Sequence, residues 1–295
     1  MPELSFDRDG EDLRILAGDR ELARYAVSGD AIPARDTPKP YLHPLRTLGG
    51  VLITDFAPED HPWHHGLAFA FPRVGEHNLW GGGTYFGPER GYIVVEDQGS
   101  IRHGAWDQVD PAGGRFAHRL TWLGHSGERL IEERRGYTLR LVEAGETRGW
   151  MLELDTVLDN VTDADLPLET PAQRGRDDGG YGGWFLRCAE GFQAVELSSD
   201  GVPVESSGAT GDTFVIAGRT ASGEDVTIGM AYGPGDSPGT RSWLYRFEPF
   251  PLAGFAVAYH DGLTIPQGGS LSFSHRIVCF DGVVAQGAVR EALST

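Results

Sequence analysis

Gly149-Trp150-Met151-Leu152-Glu153-Leu154-Asp155-Thr156-Val157-Leu158-Asp159 carries the reading on which the fold turns. Trp150, Leu152, Leu154, Thr156 and Leu158 fall on one side, and Glu153, Asp155 and Asp159 on the other. Successive side chains of a strand point to opposite faces, so this is a strand with one buried face. Residues 129–142, just upstream, pair with it through the turn Glu143-Ala144-Gly145-Glu146.

Outward from this hairpin the same pattern repeats. Residues 4–6, 13–16 and 22–27 form an opening meander punctuated by Asp9-Gly10 and Gly18-Asp19. Strands are expected at 50–56, 67–71, 92–96, 101–106 and 115–123. In the second half they are expected at 184–187, 192–197, 213–217, 226–232, 242–247, 254–259 and 270–280. With 42 glycines and 18 prolines between short alternating runs, the chain reads as all-β. Strands spaced about ten residues apart imply a large antiparallel β-sandwich of two face-to-face sheets with a concave ligand face. Only residues 283–293 look helical, as a short C-terminal helix. The Gly/Pro/Asp/Ser-rich piece at 233–241 reads as a surface loop, so residues 1–295 are expected to form a single domain.

Composition excludes several function classes. The net charge is −18, from 25 Lys plus Arg against 43 Asp plus Glu. That field repels phosphate backbones and anionic lipid, so neither nucleic acid nor membrane is an expected partner. No apolar run approaches 18 residues and the N-terminus lacks a basic segment, which predicts a soluble, cytoplasmic protein. Cys188 and Cys279 are too few and too far apart for a metal set, and are read as buried thiols. There is no phosphate-cradling loop, dinucleotide fingerprint or nucleophile elbow.

Chemistry concentrates in Asp60-His61-Pro62-Trp63-His64-His65-Gly66 and Glu76-His77-Asn78-Leu79-Trp80-Gly81-Gly82-Gly83. His43, His61, His64, His65 and His77 fall within 35 residues, half of the chain's ten histidines. Imidazole titrates near neutral pH and is a common metal ligand, so the cluster points to acid–base work or to a metal. On a strand His61 and His65 share a face and His64 points away; in a proline-containing loop all three converge. A divalent metal would be held by His61 and His65, with a third ligand from His43, His77, Glu76 or Asp178. A rim of hydrogen-bonded histidines bracing a loop is the structural alternative. Asp60 reads either as a carboxylate that orients a neighbouring imidazole or as a turn residue.

A second loop, residues 170–187, is expected to face the first. Arg174 and Asp178 lie in its charged part and Tyr181 in its glycine-rich part. Arg46 and Arg174 offer planar donor forks for a ligand. Trp80 and Tyr181 offer flat faces that stack on sugar rings. His43 and His77 flank the histidine loop, and His260 is a candidate for a distant cleft wall. Glu132, Glu133 and Glu153 read as solvated face residues, with Glu153 also able to reach the cleft. His275 reads as a satisfied core histidine.

Several of these pieces together resemble the PmoA-like ("methane oxygenase PmoA") family of soluble bacterial proteins. The resemblance is carried by Lys39-Pro40-Tyr41-Leu42-His43-Pro44 with Arg46-Thr47, residues 60–67, residues 78–82, residues 170–176, residues 180–187 and residues 270–282. It implies a galactose-mutarotase-like supersandwich, found among carbohydrate-active proteins and often encoded near sugar dehydrogenases. A membrane oxygenase is not implied, because its spanning helices have no counterpart here.

Two function classes follow. One is a hydrolase, lyase or epimerase acting on a sugar, glycoside or keto-sugar derivative, with His61, His64, His65 and Asp60 as the acid–base group. Its substrate would be bound by His43, Arg46, His77, Trp80, Arg174, Asp178, Tyr181 and His260. The other is a non-catalytic carbohydrate-binding or sensor protein with the same cleft. Oligomeric state is not readable from the sequence.

Overall fold

The computed structural model describes residues 3–27, 29, 31–233 and 239–295. Among these residues the strands form two large sheets, antiparallel at every pairing, with smaller three- and two-stranded sheets. The larger sheet has nine strands. In spatial order they are Val202–Pro203, Gln193–Ser199, Thr213–Arg219, Asp225–Tyr232, Ser270–Asp281, Thr147–Asn160, Arg129–Ala144, Arg115–Leu123 and Ser100–Asp110. The other has eight: Leu4–Asp9, Asp12–Ala17, Arg20–Ala26, Tyr41–Leu45, Leu67–Ala70, Gly183–Arg187, Leu252–Phe255 and Trp243–Arg246. The long hairpin closes from Ala144 to Thr147 as expected.

The sheets pack face to face. Phe69 of the eight-stranded sheet meets Trp122 and Phe273 of the nine-stranded one at ring-centroid distances of 5.9 and 5.8 Å. Tyr25 meets Phe116 at 5.6 Å. One cluster of buried side chains fills the space between the sheets. Burying each such ring contributes roughly 1.5–3 kcal/mol. Trp150, Leu152, Leu154, Thr156 and Leu158 are all buried, as their alternation requires. Glu133 is buried too, contrary to the solvated reading. Its carboxylate accepts from Arg135 Nε at 2.6 Å and from Trp122 Nε1 at 2.6 Å, and this pairing is what permits a charge in the core.

The outer faces are covered as well. The helix Gln286–Ser294 seats Val289, Ala292 and Leu293 on the nine-stranded sheet, against Met151, Val278 and Phe280. Glu153 lies on this same outer face, paired with Arg140 and Arg276, and so does not line the cavity described below. On the eight-stranded sheet, alternate residues split cleanly. Leu67, Phe69, Trp184, Leu186 and Trp243 enter the core, while Ala68, Ala70, Phe185 and Leu244 form an apolar patch outside it. Both faces being buried is why these strands read as continuous apolar runs.

Three strand expectations are corrected, the one at 254–259 because its strand is Leu252–Phe255 and the chain turns from residue 257 onward. Residues 50–56 make only isolated bridges, Arg46 with Leu52, Thr54 with Cys188 and Phe56 with His65. Each residue meets a different neighbour, so no ladder forms. Residues 92–96 hold only the short strand Tyr92–Ile93. His275 is buried against Phe255 and Tyr232. Neither of its ring nitrogens has a partner among the described residues, and burial pushes it down to about 3. Cys188 and Cys279 are free, buried thiols. The loop expected at 233–241 falls largely on residues 234–238, outside the described ones. No helix among the described residues is long and apolar enough to cross a membrane.

Candidate functional site

A cavity of about 340 Å³ opens on the outer face of the eight-stranded sheet. Three loops roof the apolar patch and supply the walls: residues 57–66, 78–92 and 174–182.

The first loop turns sharply at His61-Pro62-Trp63-His64, with the His64 N–H donating to the His61 carbonyl at 2.9 Å. Proline at the second position of a β-turn pre-sets the required φ. The turn brings the first and fourth residues together, so the His61 and His64 rings stack at 4.7 Å. Both line the cavity. His65 is carried the other way. It is buried against Phe56 and Tyr41, and its Nε2 donates to the Pro62 carbonyl at 3.1 Å. Burial pushes it down to about 2, so it stays neutral. The convergence of His61 with His65 that a shared metal requires is therefore absent. Among the described residues no three His, Cys, Asp or Glu side chains are grouped to hold a metal ion.

Asp60 sits behind His61. Its Oδ2 accepts from His61 Nδ1 at 2.9 Å, and its Oδ1 accepts from Arg187 Nη2 at 3.1 Å. Burial alone would raise the Asp60 carboxyl, but the His61 hydrogen bond and the Arg187 charge outweigh it and keep the group ionised. With the Nδ1 proton held by Asp60, His61 Nε2 carries the free lone pair. Burial lowers the His61 imidazole below its usual range, against the opposing pull of Asp60. His64 is lowered well below it, again by burial first. Both rings are neutral at pH 7.

The opposite wall is a hydrogen-bonded chain. Tyr181 and Tyr92 share a hydroxyl–hydroxyl bond of 2.8 Å, and Arg176 donates to the Tyr92 hydroxyl. Arg176 Nε and Arg246 Nη2 both donate to Asp178, at 2.8 and 2.9 Å. The Arg176 hydrogen bond is the largest of the effects that hold Asp178 below the usual carboxylate range. Burial drives the Tyr181 hydroxyl well above 10, so it is a neutral donor. Trp80, Trp63 and Phe250 supply flat apolar faces. Trp80 packs on Phe185 and Tyr181 at 4.2 and 4.8 Å.

The loops are held by two buried polar groups. Asn78 Oδ1 accepts from the Trp80 and Gly81 N–H groups, each at 2.9 Å. Lys39 is wholly buried, and its ammonium reaches the carbonyls of Trp80 at 2.8 Å, Thr37 at 3.1 Å, Trp63 at 3.2 Å and Asp36 at 3.4 Å. Gly82 has φ +67°, and a Cβ there would lie 2.7 Å from the Trp63 ring. Gly82→Ala is accordingly expected to displace Trp63 and cost about 1–3 kcal/mol. Denaturant midpoint and tryptophan fluorescence check this; if neither changes, the close approach is not needed.

Of the residues singled out from sequence, His61, His64, Trp80, Asp178 and Tyr181 meet at this cavity, with Asp60 behind His61. The others lie elsewhere. His43 Nδ1 bonds Thr54 Oγ1 at 2.9 Å. Arg46 closes its own turn on the Gly50 carbonyl. His77 bridges Glu128 and the His125 N–H. Arg174 pairs with Glu169 beside a smaller neighbouring pocket. His260, exposed, contacts the Gly208 carbonyl. Sequence reasoning passed over Arg187, Arg246, Phe250, Tyr92 and Lys39. For the first two a signal existed: Phe185 alternates with Arg187 and Leu244 with Arg246, which puts both arginines on the patch side.

No curated protein matches the chain. Among solved structures, an alpha-galactosidase from Lactobacillus brevis is similar at a TM-score of 0.39 and 7% identity. The match covers 96% of this chain, which spans 40% of that one. Residues 12–294 match the group described as "Family of unknown function (DUF6807)", and on that match the chain belongs to this family.

Proposed function

We propose that this protein is an enzyme acting on a sugar derivative, and that it begins by removing a proton from carbon beside a carbonyl-type group. The observation that carries the reading is the Asp60–His61 pair at the cavity: a neutral imidazole whose Nε2 lone pair is free and whose other nitrogen is fixed by a carboxylate. Tyr181 supplies a neutral proton donor across the same space, and Trp80 with Tyr181 supplies a stacking surface. Two-carboxylate glycoside hydrolysis fits less well. It needs a second acid with a raised pKa, and Asp178 is the one carboxylate lining the cavity and is held low. A lyase or epimerase is therefore favoured over a hydrolase. The motif resemblance to PmoA-like proteins belongs to the same proposal, with the galactose-mutarotase-like sandwich and the carbohydrate or keto-sugar ligand it implies.

The test is incubation with oxidised and unoxidised glycosides in D2O, read by mass spectrometry. Deuterium uptake or a new product from at least one sugar derivative supports the reading. Stoichiometric binding with neither exchange nor product over long incubation supports a carbohydrate-binding protein instead. For a turned-over substrate, kcat/KM should rise with pH through a midpoint below 6.5 and be flat at neutrality, because only neutral His61 accepts a proton. Asp60→Asn removes the charge that opposes the lowering and should move that midpoint further down. An unshifted midpoint would remove Asp60 from this role.

A further inference from the structure

The chain carries −18 overall, yet the cavity runs the other way. Its lining contains two guanidiniums, Arg176 and Arg246, against one carboxylate, Asp178. Behind the wall Arg187 and Asp60 cancel each other, and the two lining histidines are neutral. Asp178 accepts from both arginines and cannot neutralise both, so one positive charge is left over in a space with apolar walls. Arg246 is the group with capacity to spare. It gives Nη2 to Asp178 and lies over the Phe250 ring at 5.6 Å, while its Nε and Nη1 have no partner among the described residues. A guanidinium edge of this kind matches a carboxylate in a two-point contact.

We propose that the cavity recognises a carboxylate on its ligand, so that the substrate class is a sugar acid of the uronate type, with Arg246 as its anchor and Arg176 beside it. The sugar part rests on the function proposed above; the carboxylate part rests on the charge balance alone. A single surplus charge matches a carboxylate better than a phosphate, which brings nearly two. A neutral sugar leaves the surplus uncompensated in a half-enclosed apolar space. The carboxylate also suits the base. When His61 Nε2 takes the proton from the adjacent carbon, the C–H electron pair moves into the carboxylate as an enediolate, which the paired guanidiniums stabilise.

Titration calorimetry on the full chain compares methyl glucuronide and methyl galacturonide with the matched methyl glucoside and galactoside, at low and high salt. One uronide should bind at least about ten-fold tighter than its neutral partner, with the advantage shrinking as salt rises. Arg246→Gln should bring the ratio of uronide to neutral-glycoside affinity to about one, while Arg246→Lys restores part of that ratio. Equal affinity within each pair, or an advantage that survives Arg246→Gln in a variant with unchanged melting, overturns the proposal and leaves the carbohydrate reading standing. Small non-sugar carboxylates that bind as tightly as the uronides would keep the anion site and sink the sugar reading. Failure of every uronide and every neutral glycoside to bind overturns both.

Discussion

His61→Ala is expected to lower turnover by about 10²–10⁴-fold, the usual contribution of a positioned general base, with little change in melting temperature. The ring stands on a loop at the cavity wall, partly exposed. Its removal leaves Asp60 still paired with Arg187, so no buried charge is stranded. His65→Ala should behave in the opposite sense. The sequence alone suggests that both histidines belong to the acid–base group, but His65 is buried against Phe56 and Tyr41. Its truncation is expected to cost about 2–4 kcal/mol through the cavity left behind and the unpaired Pro62 carbonyl. Chemical denaturation and turnover measured on both variants separate the two. Normal turnover in a folded His61→Ala variant would remove the proposed base.

Lys39→Met should be the most damaging single change to the frame of the site. The side chains have similar volume, but methionine offers nothing to the carbonyls of Asp36, Thr37, Trp63 and Trp80 that the ammonium joins. Stranding those acceptors is expected to cost about 3 kcal/mol, and to loosen Trp63 and Trp80 together, so ligand affinity falls with stability. The change also has a pH signature. Burial pushes the Lys39 ammonium down to about 7, with Asp36 opposing, from an ordinary value of 10.5. Between those two values the unfolded chain binds the proton and the folded chain does not. The burial penalty is thus fully present below pH 7, and wild-type stability gains on Lys39→Met as pH rises from about 7 to about 10.5. Parallel stability–pH curves for the two proteins would show that Lys39 stays charged throughout this range in the fold.

Alternation along each strand was enough to define an all-β sandwich, because which face a strand buries is a local property with a period of two. The hairpin around Gly145 and the strand Arg115–Leu123 were legible for this reason, and the terminal helix through its own local period of 3.6 residues. What the local pattern cannot carry is where a loop sends its side chains. The turn at residues 61–64 stacks His61 on His64 and sends His65 beneath Phe56, where a strand would pair His61 with His65. Residues 50–56 look like a strand, but their partners change at every bridge, which only the packed fold decides. Glu133 looks solvated until Arg135 and Trp122 close around it. Arg187, Arg246, Tyr92 and Lys39 come from four separate parts of the chain, and no spacing ties them to the histidines. Their roles arise only when the eight-stranded sheet turns its outer face to the three loops, since contact, desolvation and charge balance depend on distance in space and not along the sequence.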